Sequence, residues 1–359
     1  MATSQKIRVG IPRALLYYKF YTMWTTFFEE LGAEVIVSPK TNKIFKDVAV
    51  SIAPDEDCYS SKLYYGHVMA LKDKVDCYFI PRFSSGGFGK GHEKNVSCPK
   101  FIGLAEVLRS VFPDLPEIIM PYFSTAKNNH GKMKFLKYCF SIGFKFTKNP
   151  FRIRTAIKKA LKDQKEHYQH QQISVDDLTK WERSEMMLNE APNVEEGDVP
   201  LKVAIVGHSY VLNDPYQSIG IMKKLTSNGV DYITSEQMPR ELVERQMDNL
   251  ESNMYFEYER EIIGTVMHFL DSKTIDGILH LIIFSCGPDS IGGELCSRFS
   301  RRKPEIPLLQ LVIDEHTGEA GLNTRIEAFI DMLRRRKSIK EKKIRRKIKC
   351  HLPSPTLDH

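Results

Sequence analysis

Residues 277–290 read GILHLIIFSCGPDS, and the fold follows from how this stretch is understood. Gly277 to Ser285 is the most apolar run in the chain. A run of that length without polar alternation predicts a strand buried on both faces, as in a parallel sheet covered by helices. It stops at Cys286-Gly287-Pro288, which turn the chain into a helix over 289–300. Downstream, PLLQLVI (307–313) is the next buried strand and a last helix runs from Asn323 to Arg335. Upstream, LKVAIVGH (201–208) predicts a strand, 218–228 a helix, 230–234 a strand and 251–270 a long helix. The first half repeats the alternation. KIRVGIP is a strand, and apolar residues at helical spacing from Leu15 to Glu30 predict a helix that Gly32 stops. A strand at 33–37, a helix at 61–71, a strand at 76–81, a glycine-rich loop at 84–91, a helix at 101–111 and a short strand within 116–121 follow. Strands separated by helices predict an α/β protein, here with two Rossmann-like parallel-sheet domains joined by a helical segment.

The joining segment differs in composition. Residues 127–185 are rich in Lys, Gln, His and Glu, with sparse apolar periodicity, and are expected to be helical and largely exposed. APNVEEGDVP (191–200) is a turn-rich acidic linker. The expected division is an N-terminal α/β domain over 1–126, a helical insert and linker over 127–199, a C-terminal α/β domain over 200–336 and a basic tail over 337–359. A chain of 359 residues suits two domains that each bury a core.

With 42% hydrophobic and 27% charged residues and a mean hydropathy of −0.33, the chain reads as an ordinary globular protein. Collagen-like, coiled-coil and wholly disordered readings are excluded. No apolar run reaches about 18 residues, which excludes a polytopic membrane protein. The net charge of +7 is concentrated in RRRKSIKEKKIRRKIK (334–349), which alone carries +10 and leaves −3 for the rest. The body is therefore not a basic nucleic-acid binder, and nucleic acid is expected only through the tail. That tail reads either as a solvated extension of the last helix or as a docking element for an acidic partner, anionic lipid or nucleic acid. MATSQKIRVGIP has no apolar targeting segment, so a cytoplasmic location is expected. Seven scattered cysteines argue against a disulfide framework. The thiols are packing residues, metal ligands or nucleophiles.

In open α/β sheets, ligands collect at the carboxyl ends of strands. Three strands end in short polar loops containing glycine: Gly207-His208-Ser209-Tyr210, Cys286-Gly287-Pro288-Asp289-Ser290, and the loop from Asp314 to Glu319. Cys286 sits where a buried strand stops; it either fills the strand end or faces the crevice. Cys58 in DEDCYSSK and Cys98 in NVSCPK are loop cysteines beside polar residues, and Cys98 precedes a proline as iron–sulfur ligands often do. Three soft thiolates suit an iron–sulfur cluster, although intervals of 40 and 188 residues with no CxxC give no spacing signature. Cys77 and Cys139 read as core, Cys350 as a bystander in the tail, and Cys296 as core or near the site. GGFGKG (86–91) lacks the Lys-Ser/Thr of a phosphate loop, and Gly207-His208 lacks the remaining glycines of a dinucleotide fingerprint, which disfavours a nucleotide-binding module. Glu315 and His316 are either a proton donor–acceptor pair or a loop cap and a structural ring.

Several stretches together carry a family resemblance. IRVGIPRALLYYKFYTMWTTFFEELGAEVIVSP at the start, KLYYGHV (62–68), CPKFIGL (98–104), VAIVGHSYVLNDPY (203–216), FSCGPDS (284–290) and IDEHTGEAGLNTRIEAFIDML (313–333) resemble the uncharacterised region of activase-related proteins of the 2-hydroxyacyl-CoA dehydratase group. The likeness runs from residue 7 to 335. It implies stacked Rossmann-like domains holding a 4Fe–4S cluster, or a larger iron–sulfur cluster, in the cleft between them. It implies ligands at Cys58, Cys98 and Cys286, with Gly287 and Thr317 beside the cofactor and Glu315 and His316 supplying hydrogen bonds or protons. In the group, an ATP-dependent activase with an actin-like fold delivers a low-potential electron, which dehydratases use to expel a hydroxyl from a 2-hydroxyacyl-CoA through a ketyl radical. This chain departs from the pattern at Cys58-Tyr59-Ser60-Ser61-Lys62, which lacks a proline two residues after the cysteine. It also lacks the ATPase region of long members, so the activase is expected to be a separate polypeptide. A second dehydratase-type subunit or a homodimer is a further expected partner. The alternative is a non-enzymatic accessory or assembly partner of a dehydratase complex without a permanent cluster.

Overall fold

A computed structural model describes residues 6–85, 96–124, 129–184, 200–251 and 253–351. In the first half the order is β1 (Arg8–Ile11), α1 (Tyr17–Glu30), β2 (Glu34–Val37), α2 (Lys43–Ile52), α3 (Tyr59–Met69), β3 (Cys77–Phe79), β4 (Arg82–Ser85), α4 (Pro99–Val111), β5 (Glu117–Ile119) and β6 (Tyr122–Ser124). Three helices follow: α5 (Asn129–Gly143), α6 (Pro150–Gln171) and α7 (Val175–Arg183). The second half contains β7 (Leu201–Val206), α8 (Ser209–Leu212), α9 (Ile221–Ser227), β8 (Val230–Thr234), α10 (Arg240–Asp248), α11 (Glu257–Ser272), β9 (Gly277–Ile283), α12 (Gly287–Arg302), β10 (Leu308–Ile313) and α13 (Glu319–His351).

Two four-stranded parallel sheets result, with orders β2-β1-β3-β5 and β10-β9-β7-β8, beside a small parallel pair β4-β6. Strand side chains alternate between faces, and the alternation sorts them into three cores. Val9, Ile11, Cys77 and Phe79 face a core shared with α1, α5 and α6. Ala204, Val206 and Ile278 face a core with α7, α10, α11 and Cys296 of α12. Tyr78 of the first sheet and Val203, Ile205, Leu279, Leu281 and Ile283 of the second lie in one common core with α3, α4 and the start of α13. The sheets are thus fused through a continuous apolar layer, in which each fully buried Leu or Ile stabilises by about 1.5–3 kcal/mol.

The parallel sheets lie where the apolar runs predict them, while the helical segment behaves differently from its composition. On α6, Ile153, Ala156, Ile157 and Ala160 follow the i, i+3, i+4, i+7 pattern and are buried. Gln164 fixes them to α1, accepting the Met23 N–H at 3.1 Å and donating to the Lys19 carbonyl at 2.9 Å. Asn149 caps this helix with Pro150 at its first position. α7 packs elsewhere: Leu178 lies in the core of the second sheet. Helices α2 and α10 are additions to the expected set, and α11 begins at Glu257, not 251. The basic stretch continues α13; Lys337 donates to the Pro200 carbonyl at 2.7 Å and pairs with Asp276 at 3.0 Å. The glycine-rich segment 86–91, the linker 191–199 and the side chain of Cys350 lie outside the described residues. Among the described residues, no helix is long and apolar enough to cross a membrane.

Candidate functional site

In the second sheet the strand order reverses between β7 and β9, and the crevice of an open α/β sheet lies where that happens. The two loops leaving this point are Gly207-His208 and Ser285-Cys286. Ser285 is held at φ 65°, a left-handed conformation costly for a residue with a Cβ. Such strain recurs where a turn must aim a functional side chain. Here it directs the chain from β9 into α12 with Cys286 as N-cap.

Cys58 is the N-cap of α3 and Cys98 the N-cap of α4, with Pro99 opening the latter helix. All three cysteines therefore occupy the same local position, at helix ends where unsatisfied amides and the helix dipole favour negative charge. Neither the Cys98 nor the Cys286 side chain accepts a capping hydrogen bond from its helix. The Cys58 thiol donates to Ser61 Oγ at 3.3 Å. Cys58 and Cys286 lie in one core with Cys98 packed against it, and Cys98 and Cys286 line a common cleft. The buried Tyr210 shares that core with Cys58 and Cys286 and lines the cleft with Cys98 and Cys286. The Tyr59 amide also points to the Phe284 carbonyl at 3.5 Å, tying the start of α3 to the end of β9. Burial is the main force on Cys98 and Cys286, pushing the former up to about 11 and the latter further up, with the Asp289 carboxylate adding to the rise at Cys286.

A second set of polar groups meets Cys286. Donor atoms of His208, Cys286 and Asp289 all lie within 4.8 Å of one another, and all three residues are buried. His208 Nε2 lies 3.0 Å from Glu259 and Nδ1 2.7 Å from the Tyr210 hydroxyl. Burial disfavours a charged His208 ring, yet Asp289 and Glu259 together raise its pKa. Asp289 accepts the Ile283 amide at 3.0 Å and lies 3.3 Å from His280 Nε2. Burial opposes its charge, but His208 and His280 hold its carboxyl below the usual range. A cleft lined by Cys98, His208, Tyr210, Glu257, Glu259 and Cys286 opens beside this group, and Lys19 also borders it, with its ammonium 3.7 Å from Glu257.

The remaining sequence candidates divide. Gly287 opens α12 beside Cys286, and a Cβ there would meet nothing within 4 Å, so space is free next to the thiol. Glu315 is bound to Lys62 at 2.6 Å and lines, with Thr317 and Tyr59, a different cleft. Thr317 Oγ1 donates to Asp314 at 2.6 Å. His316 is exposed. Glu315, His316 and Thr317 are thus not among the residues that line the cysteine cleft. Cys77, Cys139 and Cys296 are buried in the outer cores. His208, Tyr210, Glu259 and Asp289 are the additions; the strand-end positions of His208 and Asp289 were the signal that could have found them.

Fold and site define an α/β protein of two main parallel sheets, with two helix-capping cysteines, Cys98 and Cys286, on the cleft and a third, Cys58, in the adjoining core. Residues 8–238 match the CoA enzyme activase uncharacterised domain, and residues 213–333 match the 2-hydroxyglutaryl-CoA dehydratase, D-component. The first match spans more than half of the chain, which therefore belongs to the CoA enzyme activase uncharacterised domain family, and the second relates it to the dehydratases. No curated protein matches the chain.

Proposed function

We propose that this protein is an iron–sulfur component related to 2-hydroxyacyl-CoA dehydratases, holding a 4Fe–4S or larger cluster on Cys58, Cys98 and Cys286. The observation that carries the reading is that three helix-capping cysteines meet in one core, with Cys58, Cys286 and Tyr210 in it and Cys98 packed against it, and that Cys98, Cys286 and Tyr210 line one cleft. The donor set fits the group. Thiolates are the usual cluster ligands, and three of them leave one iron for another ligand. When bound, such a cluster supplies one-electron chemistry at low potential.

The chain's own residues would set the surroundings. The helix N-termini at Cys58, Cys98 and Cys286 would place unsatisfied amides near a cluster, and such amides tune one. His208, held between Glu259 and Tyr210, keeps a proton beside the pocket. The apolar layer on the other side of the thiols limits water. Membership of the activase-related family supports a partnership with an activase component. We infer that this is a separate ATP-dependent protein of actin-like fold, and that the work takes place in the cytoplasm as electron transfer or reductive dehydration.

Anaerobic reconstitution with iron and sulfide tests this. About four irons per chain and a paramagnetic signal on reduction are expected, both lost in Cys286→Ala. A protein that remains iron-free, and indistinguishable from that variant, would falsify the assignment and leave an accessory role without a permanent cluster.

A further inference from the structure

Three thiolates hold three irons of a four-iron cluster, and the fourth iron takes a ligand of another kind when no further thiol is at hand. Among the described residues none is. Cys77 and Cys139 belong to the core of α1, α5 and α6, and Cys296 to that of α7, α10 and α11.

The lining of the cysteine cleft narrows the choice. Beside Cys98 and Cys286 it offers His208, Tyr210, Glu257 and Glu259 as side chains with strong donor atoms. Glu257 is paired with Arg240 at 2.9 Å and with Lys19 at 3.7 Å. Glu259 and Tyr210 are both bonded to His208. His208 itself is 2% exposed, and a nitrogen of its ring lies within 4.8 Å of both the Cys286 sulfur and an Asp289 carboxylate oxygen. Asp289 is committed elsewhere: it accepts the Ile283 amide at 3.0 Å, lies 3.3 Å from His280 Nε2, and does not line the cleft.

His208 is also held in the manner of a metal-binding histidine. Such a ring gives one N–H to a carboxylate, which fixes its orientation and leaves the lone pair of the other nitrogen for the metal. Glu259 stands 3.0 Å from Nε2 and can accept that proton. Nδ1 then carries the lone pair, which the Tyr210 hydroxyl meets at 2.7 Å. Glu259 and Asp289 surround the ring with negative charge, which favours a positive charge there whether a proton or a metal carries it. Imidazole is a good donor for iron.

We propose that His208 is the fourth protein ligand of the cluster, binding its remaining iron through the imidazole nitrogen that Glu259 leaves free. This rests on the cluster proposed above for Cys58, Cys98 and Cys286. A neutral imidazole in place of a fourth thiolate leaves the cluster less negative and raises its potential.

The test uses the reconstituted full-length protein, reduced by one electron without oxygen and read by pulsed EPR. A strong coupling from a directly bound nitrogen is expected, and its pattern should change when the histidine rings carry ¹⁵N. His208→Ala should keep about four irons per chain and lose that coupling. His208→Cys should keep the cluster and lower its reduction potential, because a thiolate adds negative charge. Should His208→Ala fail to fold, the ¹⁵N comparison in the wild type and the potential of His208→Cys still decide. Four irons that depend on Cys286 but show no strong histidine coupling, or a coupling that survives in His208→Ala, overturn this proposal alone. Wild-type protein that takes up no iron, or a single ion per chain, overturns it together with the cluster.

Discussion

Glu261 offers the sharpest quantitative test of the packing between α1, α6 and α11. Burial pushes its carboxyl up to about 7; Lys19 pulls the other way, and the carboxylates of Glu236 and Glu257 add to the rise. Its Oε1 has no hydrogen-bond partner, which is consistent with that environment. The folded pKa lies above the ordinary value of 4.5, so the native state holds a proton that the unfolded chain has released. Stability from this group is full below pH 4.5 and falls as pH rises towards 7. A tenfold difference in proton affinity between the two states corresponds to about 1.4 kcal/mol, and most of the change falls between pH 5 and pH 8. Glu261→Gln keeps the shape and removes the titration. In urea unfolding, its advantage over the wild type should be about 2 kcal/mol larger at pH 8 than at pH 5. Equal differences at the two pH values would show that Glu261 is solvated or paired in solution, and the chamber around Lys19 would then be open.

The buried His67 ring should give the opposite dependence: burial, then Arg13, lowers its pKa to about 3 from 6.5, so its contribution is full above pH 6.5 and is lost as pH falls, at about 1.4 kcal/mol for each pH unit. His67→Gln should flatten the urea-midpoint profile between pH 6.5 and 4.5, and an unchanged slope would place the titration elsewhere. Gly264→Ala should destabilise by about 1–3 kcal/mol, because its Cβ would sit 2.8 Å from Val243 Cγ1 and 2.9 Å from the Val243 carbonyl; a neutral result in thermal unfolding would mean that α10 and α11 separate readily in solution. In cluster-free protein the alkylation rate of Cys98, followed by mass spectrometry, should rise about tenfold per pH unit from 8 to 10, since only the thiolate reacts and its pKa is about 11. Saturation near pH 8.5 would show a solvated thiol.

What the sequence conveyed depended on how strongly each segment was patterned. β9 and β10 are long and apolar, so the parallel sheet was legible from GILHLIIFS and PLLQLVI alone. α10 was not, because ELVERQMD is mostly charged and buries only Leu242, Val243 and Met247. α6 seemed exposed for the same reason: its apolar stripe is thin beside the Lys and Gln residues that surround it. For the site, Cys-Pro at 98–99 and Cys-Gly-Pro at 286–288 carried more than a cysteine count, since proline in the first turn marks a helix start and so makes each cysteine a cap. Cys58 has no such proline, and its place emerges only from packing. Glu315 and His316 show the limit of the strand-end argument. They do follow β10, but β10 is an edge strand, and the crevice lies away from it, between β7 and β9.

The same geometry bears on which chemistry these thiols can support. Their positions at helix N-termini favour thiolates, while burial opposes them, and the raised values at Cys98 and Cys286 show that burial prevails. A nucleophilic cysteine needs the reverse balance. His208 lies close to Cys286, but its ring nitrogens are engaged by Glu259 and Tyr210. A cationic metal centre changes this balance at a stroke, because coordination deprotonates a thiol outright. The helix N-termini at these cysteines would then act with the metal and no longer only against desolvation. On the proposed reading, a shared cation-rich group would supply the thiolate stabilisation that burial denies Cys98 and Cys286 in its absence.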